Sequence, residues 1–225
     1  VSGENVLTLR AGLKALTLEL TDAQVRSLLD YQDLIGKWTK VYNLTAVRDP
    51  AEMLTHHLLD SLAAVVPLQK HLLSSGLLNK EPGKAKLLDV GSGAGLPGVV
   101  FAICCPTLSV TCVDTVGKKA AFIKQVALSL GLRNLAGVHA RVETISEPFD
   151  VICSRAFASL ADFTSWSAKA LAPGGVWMAL KGKHPADELA MLPAGMSVFH
   201  VEQLVVPGLD ADRCVLWLKP SSAVV

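Results

Sequence analysis

The stretch Asp89-Val90-Gly91-Ser92-Gly93-Ala94-Gly95-Leu96-Pro97-Gly98 joins the run Lys86-Leu87-Leu88 to the apolar run Val99-Val100-Phe101-Ala102-Ile103. This pattern predicts a strand, a glycine-rich turn and a helix. Glycine lacks Cβ and tolerates φ > 0, so such a turn lets a ligand approach the backbone closely. Asp114 closes the next apolar segment, Val110-Thr111-Cys112-Val113. A carboxylate there can accept hydrogen bonds from both hydroxyls of a ribose. Together these features point to a nucleoside cofactor lying across the carboxyl edge of a parallel sheet.

Two chemistries fit that stretch. Gly93-Ala94-Gly95-Leu96-Pro97-Gly98 satisfies the G-x-G-x-x-G dinucleotide fingerprint, with an acid about 20 residues further on, so a nicotinamide or flavin enzyme stays open. Asp89 directly before the first glycine and Pro97 at the helix entrance favour the other. In these details the stretch resembles the cofactor site of S-adenosylmethionine-dependent methyltransferases.

The surrounding elements must hold this turn in place. Residues 1–20 carry no clean start signal and are read as part short helix, part mobile segment. Thr21-Asp22-Ala23-Gln24 is a capping-box pattern opening a helix to about Val41, with Val25, Leu28, Leu29, Leu34 and Ile35 at helical spacing. Asp49-Pro50-Ala51-Glu52 opens another, carrying Met53, Leu54, His57, Leu58 and Leu62 and stopping near Pro67. Ser74-Ser75-Gly76 to Pro82-Gly83 reads as a linker. Residues 1–80 are therefore expected to form a helical cap ahead of a Rossmann-like domain at 81–225, the two making one compact unit.

From Lys86 onward strands (86–90, 109–114, 135–139, 150–154, 175–181) alternate with helices (96–105, 117–130, 160–172, 185–192), and two strand-like runs follow at 197–206 and 213–218. Alternation predicts right-handed crossovers and a parallel α/β sheet. The short connection Pro207-Gly208-Leu209-Asp210-Ala211-Asp212 has no room for a helix and predicts antiparallel pairing of the last two strands. The expected result is a mostly parallel seven-stranded sheet with one antiparallel strand near its edge.

Composition narrows the class. Hydrophobic residues make up 51% of the 225 residues, and mean hydropathy is +0.41. No run reaches the ~18–20 apolar residues of a membrane span, so a sheet covered on both faces is the better account. No membrane association is expected. The first residues lack a basic-then-apolar leader pattern, and the five cysteines, Cys104, Cys105, Cys112, Cys153 and Cys214, stand in apolar settings without C-x-x-C spacing. Reduced buried thiols, no metal site and a cytoplasmic location are the expectation. A net charge of +1 gives no global nucleic-acid signature. A local basic face remains available, from Lys37, Lys40, Arg48, Lys118, Lys119, Lys181 and Lys183.

Several separated segments, in order, resemble one family. They are Tyr42-Asn43-Leu44-Thr45-Ala46-Val47-Arg48-Asp49-Pro50, His57-Leu58-Leu59-Asp60-Ser61-Leu62, Asp89 to Gly98, Gly117-Lys118-Lys119, Arg141-Val142-Glu143, Ser154-Arg155-Ala156-Phe157-Ala158 and Leu180-Lys181-Gly182. On these the chain resembles the bacterial ribosomal RNA small-subunit methyltransferase G family, also called glucose-inhibited division protein B. His56, where relatives often carry arginine, and a long Asn79-Lys80-Glu81-Pro82-Gly83 linker depart from the pattern.

The resemblance implies a class I S-adenosylmethionine-dependent methyltransferase fold with an N-terminal helical extension. It implies methyl transfer from S-adenosyl-L-methionine to N7 of one guanine in 16S rRNA near the decoding centre, on naked RNA or on the small ribosomal subunit, by a monomer. Gly91 and Leu96 are the cofactor contacts it implies in the turn, with Ser92, Gly93 and Gly95 beside them. Val142 and Glu143 would lie by the adenine, and Arg155 would hold the methionine carboxylate or an RNA phosphate. Asp114, from the residues alone, takes the ribose. Asn43, Arg48, His57 and Lys181 are the RNA-side candidates. Guanine N7 carries no proton to remove, so no general base is nominated and Arg155 is at most a positioning residue. A small-molecule methyltransferase on the same sheet, or a nucleotide-binding regulator without catalysis, are the alternatives.

Overall fold

The computed structural model describes residues 3–221. Helix α1 (Gly3–Ala15) forms where the sequence gives no start signal. Helix α2 (Asp22–Tyr42) begins at the expected capping box: Gln24 N–H donates to Thr21 Oγ1, and Thr21 N–H donates to Gln24 Oε1 at 2.9 Å. Its end is set by Asn43, in the left-handed region at φ 52°. Asp49 then caps a new helical segment by accepting from the Ala51 and Glu52 N–H groups, with Pro50 leading.

That segment is not one α-helix running to Pro67. Helix α3 (Pro50–Met53) passes into a π-helical stretch, Leu54–Leu59, then into α4 (Asp60–Leu62), and the chain breaks at Ala63-Ala64. Pro67 lies within the next helix, α5 (Val65–Ser74). First-turn N–H groups have no intrahelical partner, so a proline there removes nothing from the ladder. The expected linker contains a single 3₁₀ turn, Leu77–Asn79.

The alternating region follows as β1 (Lys86–Val90), α6 (Gly98–Cys104), β2 (Ser109–Asp114), α7 (Gly117–Leu130), β3 (Leu135–His139), β4 (Phe149–Arg155), α8 (Leu160–Ser167), β5 (Leu171–Lys181), α9 (Ala186–Ala190), β6 (Met196–Leu204) and β7 (Arg213–Pro220). Helix α6 starts two residues later than the apolar pattern predicts, with Pro97 as its cap residue. Helix α8 ends at Ser167 and a 3₁₀ turn leads into β5, whose first residues precede Pro173. The residue before a proline is pushed toward extended geometry, which ends the helix early.

The strands form one sheet in the order β3-β2-β1-β4-β5-β7-β6. β1 to β5 pair in parallel, and β7 runs antiparallel to both β5 and β6. The chain winds outward from β1 through β2 to β3, then crosses back to β4 on the other side of β1. That reversal leaves a crevice beyond the carboxyl ends of β1 and β4.

Side chains of each strand alternate between two buried faces. Leu87, Val110, Val151, Met178 and Trp217 face one apolar cluster, which also contains Leu9, Leu28, Ile35, Leu58 and Leu72 from the N-terminal helices. Leu88, Val113, Ile152, Trp177 and Leu216 face the other, closed by Leu160 and Phe163 of α8. The N-terminal helices thus join the core on one side of the sheet, where α2 meets α6 through Gln24 and α7 through Trp38 and Phe122. All five cysteines are free and buried, and burial pushes the Cys105 thiol up to about 11, so it stays protonated.

Gly98 is closely packed against the strands under the glycine turn. A Cβ added there would lie 2.5 Å from Cys112 Sγ and 2.7 Å from Asp89 Oδ2, both fully buried. Gly98→Ala is therefore expected to destabilise the fold by about 1–3 kcal/mol, lowering Tm by roughly 3–10 °C in a thermal melt.

Candidate active site

The glycine turn is pinned by backbone bonds from the Gly91 and Ser92 N–H groups to the Val113 carbonyl, at 2.9 and 3.2 Å. Gly91 needs to be glycine for two reasons. Its φ is +65°, and a Cβ would lie 2.3 Å from Cδ2 of Phe157. Gly93, at φ +59°, opens onto free space. Its N–H donates to Asp114 Oδ2 at 3.0 Å, while Val116 N–H donates to Asp114 Oδ1 at 2.8 Å. Asp114 is therefore buried, capped into the entrance of α7, and faced by Lys119 Nζ at 3.6 Å. Each carboxylate oxygen retains a further lone pair for a ligand.

Two cavities of about 450 Å³ each meet over this turn. Gly91 and Ala156 line both, so they form one two-lobed cleft. Ala156 stands in the left-handed region at φ 54°, a conformation a non-glycine residue adopts at a cost of about 1–2 kcal/mol. It turns the chain at the end of β4, and its two neighbours part: Arg155 lines the first lobe and Phe157 the second.

The first lobe brings together Gly91, Ser92, Gly93, Leu96, His57, Arg155 and Lys181. The second brings together Asp114, Val142 and Glu143, walled by Phe157 and Trp166. Those two rings meet edge to face at 5.9 Å. Gly95 lines neither lobe. It turns inward at φ +91°, where a Cβ would lie 2.5 Å from Val99 Cγ2. Asn43 and Arg48 also lie outside both lobes. Arg48 Nη2 donates to Asn43 Oδ1 at 2.6 Å, while Leu44 and Thr45, between them in sequence, line the first lobe.

Three cations edge the first lobe, each with an internal acid. Arg155 Nη1 donates to Asp60 Oδ2 and Arg213 Nε to Asp60 Oδ1, both at 2.6 Å. Lys181 Nζ donates to both Glu188 oxygens and to the Ala158 carbonyl. His57 Nε2 lies 2.8 Å from Thr45 Oγ1, and burial, aided by the Arg155 guanidinium, holds its pKa below the ordinary value. It is a neutral group at neutral pH.

Sequence reasoning did not single out Thr45, Arg213, Phe157 and Trp166 for the site, and placed Asp60 only in the cap. Nothing local marks Arg213, which reaches Asp60 across 153 positions. It also missed Tyr31, whose hydroxyl donates to the Ala94 carbonyl at 2.6 Å and braces the turn from α2.

The arrangement fits an adenosine-bearing cofactor: an acid and an apolar wall in one lobe, cations in the other, and a bare glycine backbone between. Two solved structures share the fold. Crystalline TrmN from Thermus thermophilus aligns with a TM-score of 0.52 at 22% identity, over 74% of this chain and 53% of its own. A SAM-dependent methyltransferase from Aquifex aeolicus gives 0.50 at 19% identity, over 76% and 93%. Curated relatives are much nearer. The ribosomal RNA small subunit methyltransferase G of Polaromonas sp. (strain JS666) is 75% identical over 96% of this chain and 93% of its own length. That of Methylibium petroleiphilum is 57% identical over 93% and 92%. The family profile matches residues 24–216, a span that takes in the glycine turn, the π-helical stretch, both lobes of the cleft and the first half of β7. With that span matched and relatives this similar, the chain belongs to the rRNA small subunit methyltransferase G family.

Proposed function

We propose that this protein transfers a methyl group from S-adenosyl-L-methionine to N7 of one guanine in 16S rRNA near the decoding centre, as a cytoplasmic monomer. The observation that carries this reading is the pair of adjoining cavities that share Gly91 and Ala156, one lined by Asp114 and the other by Arg155, Arg213 and Lys181. Among the described residues no helix is long and apolar enough to cross a membrane, and no His/Cys/Asp/Glu cluster could hold a metal.

In this reading S-adenosylmethionine supplies a methyl group already activated on a sulfonium. Asp114 accepts from the ribose hydroxyls. Val142 and Glu143, which line the second lobe, would lie beside the adenine. Gly91, Ser92, Gly93 and Leu96 bring the turn against the chain between ribose and amino acid, and Arg155 takes the carboxylate. The first lobe then receives the guanine. N7 has a free lone pair, so the residues there need only align it and keep water out, which supplies most of the acceleration by orientation. His57, held neutral, suits that task better than a charged group would. Asn43 and Arg48, exposed beside Leu44 and Thr45, are placed to meet RNA outside the cleft, and the exposed ends of the N-terminal cap shape its entrance.

The test is methyl transfer from labelled S-adenosylmethionine to small ribosomal subunits, and to naked 16S rRNA, from cells lacking this activity. N7-methylguanine-directed strand cleavage maps the product. One labelled guanine is the expected result. No label on either substrate, with folded and cofactor-binding protein, would overturn the RNA assignment in favour of a small-molecule methyltransferase or a regulator.

A further inference from the structure

The π-helical stretch Leu54–Leu59 sits between two short α-helical pieces. Such insertions are frequent at functional sites. Its effect here is local. In an α-helix the Asp60 N–H would bond the His56 carbonyl. Instead it donates to the carbonyls of Thr55 and His57. The skipped His56 carbonyl accepts from Arg155 Nη1 at 3.1 Å. The same Nη1 donates to Asp60 Oδ2, and Arg213 Nε takes the other oxygen. Asp60 is only 5% exposed. One buried acid on an irregular turn thus holds two arginines, from the end of β4 and the start of β7.

Two guanidiniums on one carboxylate leave a unit of positive charge in the first lobe. Arg155 is the cation nearest the other lobe, since it directly precedes Ala156, which lines both. Arg213 stands two strands further along, on β7. Both bonds of Arg155 run through Nη1, which leaves Nε and Nη2 for an incoming anion. Arg155 would therefore meet the amino-acid end of an adenosine-type ligand bound in the second lobe before Arg213 would.

We infer that Asp60 is a positioning residue, which together with the His56 carbonyl fixes Arg155 so that its remaining N–H groups receive the carboxylate of the cofactor's amino-acid portion. This rests on the reading under Proposed function. A carboxylate, not an RNA phosphate, is the anion assigned to Arg155. Asp60 acts through Arg155 and need not touch the ligand.

The test compares S-adenosylhomocysteine with 5′-methylthioadenosine, which lacks the amino-acid portion, by calorimetric titration of wild type, Asp60→Asn and Asp60→Glu. Thermal melts of each variant confirm the fold. Asp60→Asn is expected to weaken S-adenosylhomocysteine by about tenfold or more while methylthioadenosine stays within about twofold, and Asp60→Glu should regain part of the loss. Equal weakening of both ligands, or no change in either, would overturn the inference. Should Asp60→Asn not fold, Asp60→Glu decides alone. Its carboxylate is displaced by one methylene, and an unchanged ratio of the two affinities would overturn the inference. Wild-type protein that binds neither ligand overturns the functional reading as well. Wild type that binds S-adenosylhomocysteine, with variants showing no ligand selectivity, overturns only the role of Asp60.

Discussion

Asp114→Asn is expected to cut the affinity for S-adenosylhomocysteine by about 10²-fold or more, with a parallel loss of methyl transfer. An ionised carboxylate accepting from two ribose hydroxyls makes two charge-assisted bonds, each worth about 1.5–3 kcal/mol. Their joint loss corresponds to roughly 10²–10⁴ in binding. Asparagine cannot recover this. In the free protein both oxygens already accept, from Gly93 N–H and Val116 N–H. An amide keeps one acceptor and turns its NH₂ toward a second donor, so it either loosens the turn or abandons the α7 entrance. Calorimetric titration beside a thermal melt separates the effects. Unchanged affinity in a folded variant would remove Asp114 from the ribose.

The second large effect lies beneath the turn. Asp89 is fully buried, and burial raises its pKa from 3.8 to about 7, against the pull of the Gly98 N–H and the Arg155 guanidinium. In the unfolded chain the same carboxyl ionises near its ordinary value. Below pH 4 both states carry the proton and the group is neutral to stability. Between pH 4 and 7 the unfolded chain gives up its proton while the folded one keeps it, so stability falls as pH rises. Above pH 7 the penalty is complete, on the order of 4 kcal/mol. Asp89→Asn retains an acceptor for Gly98 and removes the titration. Urea melts of both proteins from pH 4.5 to 8.5 should show the variant gaining on wild type across that range by several kcal/mol. A constant difference would show that Asp89 ionises in the folded protein as it does in water.

The local parts of this molecule were legible in the sequence. The ends of β1, β2, α7 and β3 fell where the apolar runs and glycines put them, because each is set by residues within a few positions. The place of Asp114 at the end of buried β2 was legible; its bonds to the Gly93 and Val116 N–H groups were not. Several of the departures come from partners distant in the chain. The apolar residues from Met53 to Leu62 do not announce a π-helical insertion, which shows in the Asp60 N–H bond to the Thr55 carbonyl and in the His56 carbonyl taken by Arg155 from β4. Lys181 looks like a free cation until Glu188 is seen beside it. Gly95 reads as part of a ligand-facing turn, yet its φ of +91° serves packing on Val99 and Ile123. A helical cap was expected, but the apolar face of α2 could not show from spacing alone that α6 and α7 would be its partners.

That packing of α2 on α6 has a consequence for how the binding site comes into being. Tyr31 on α2 holds the Ala94 carbonyl, and Gln24 on the same helix donates to the Ile103 carbonyl at the end of α6. The brace is made by the ribosome some 60 residues before the turn it supports, so at about 5–20 residues per second it precedes that turn by several seconds. The glycine turn therefore leaves the ribosome after the helix that braces it.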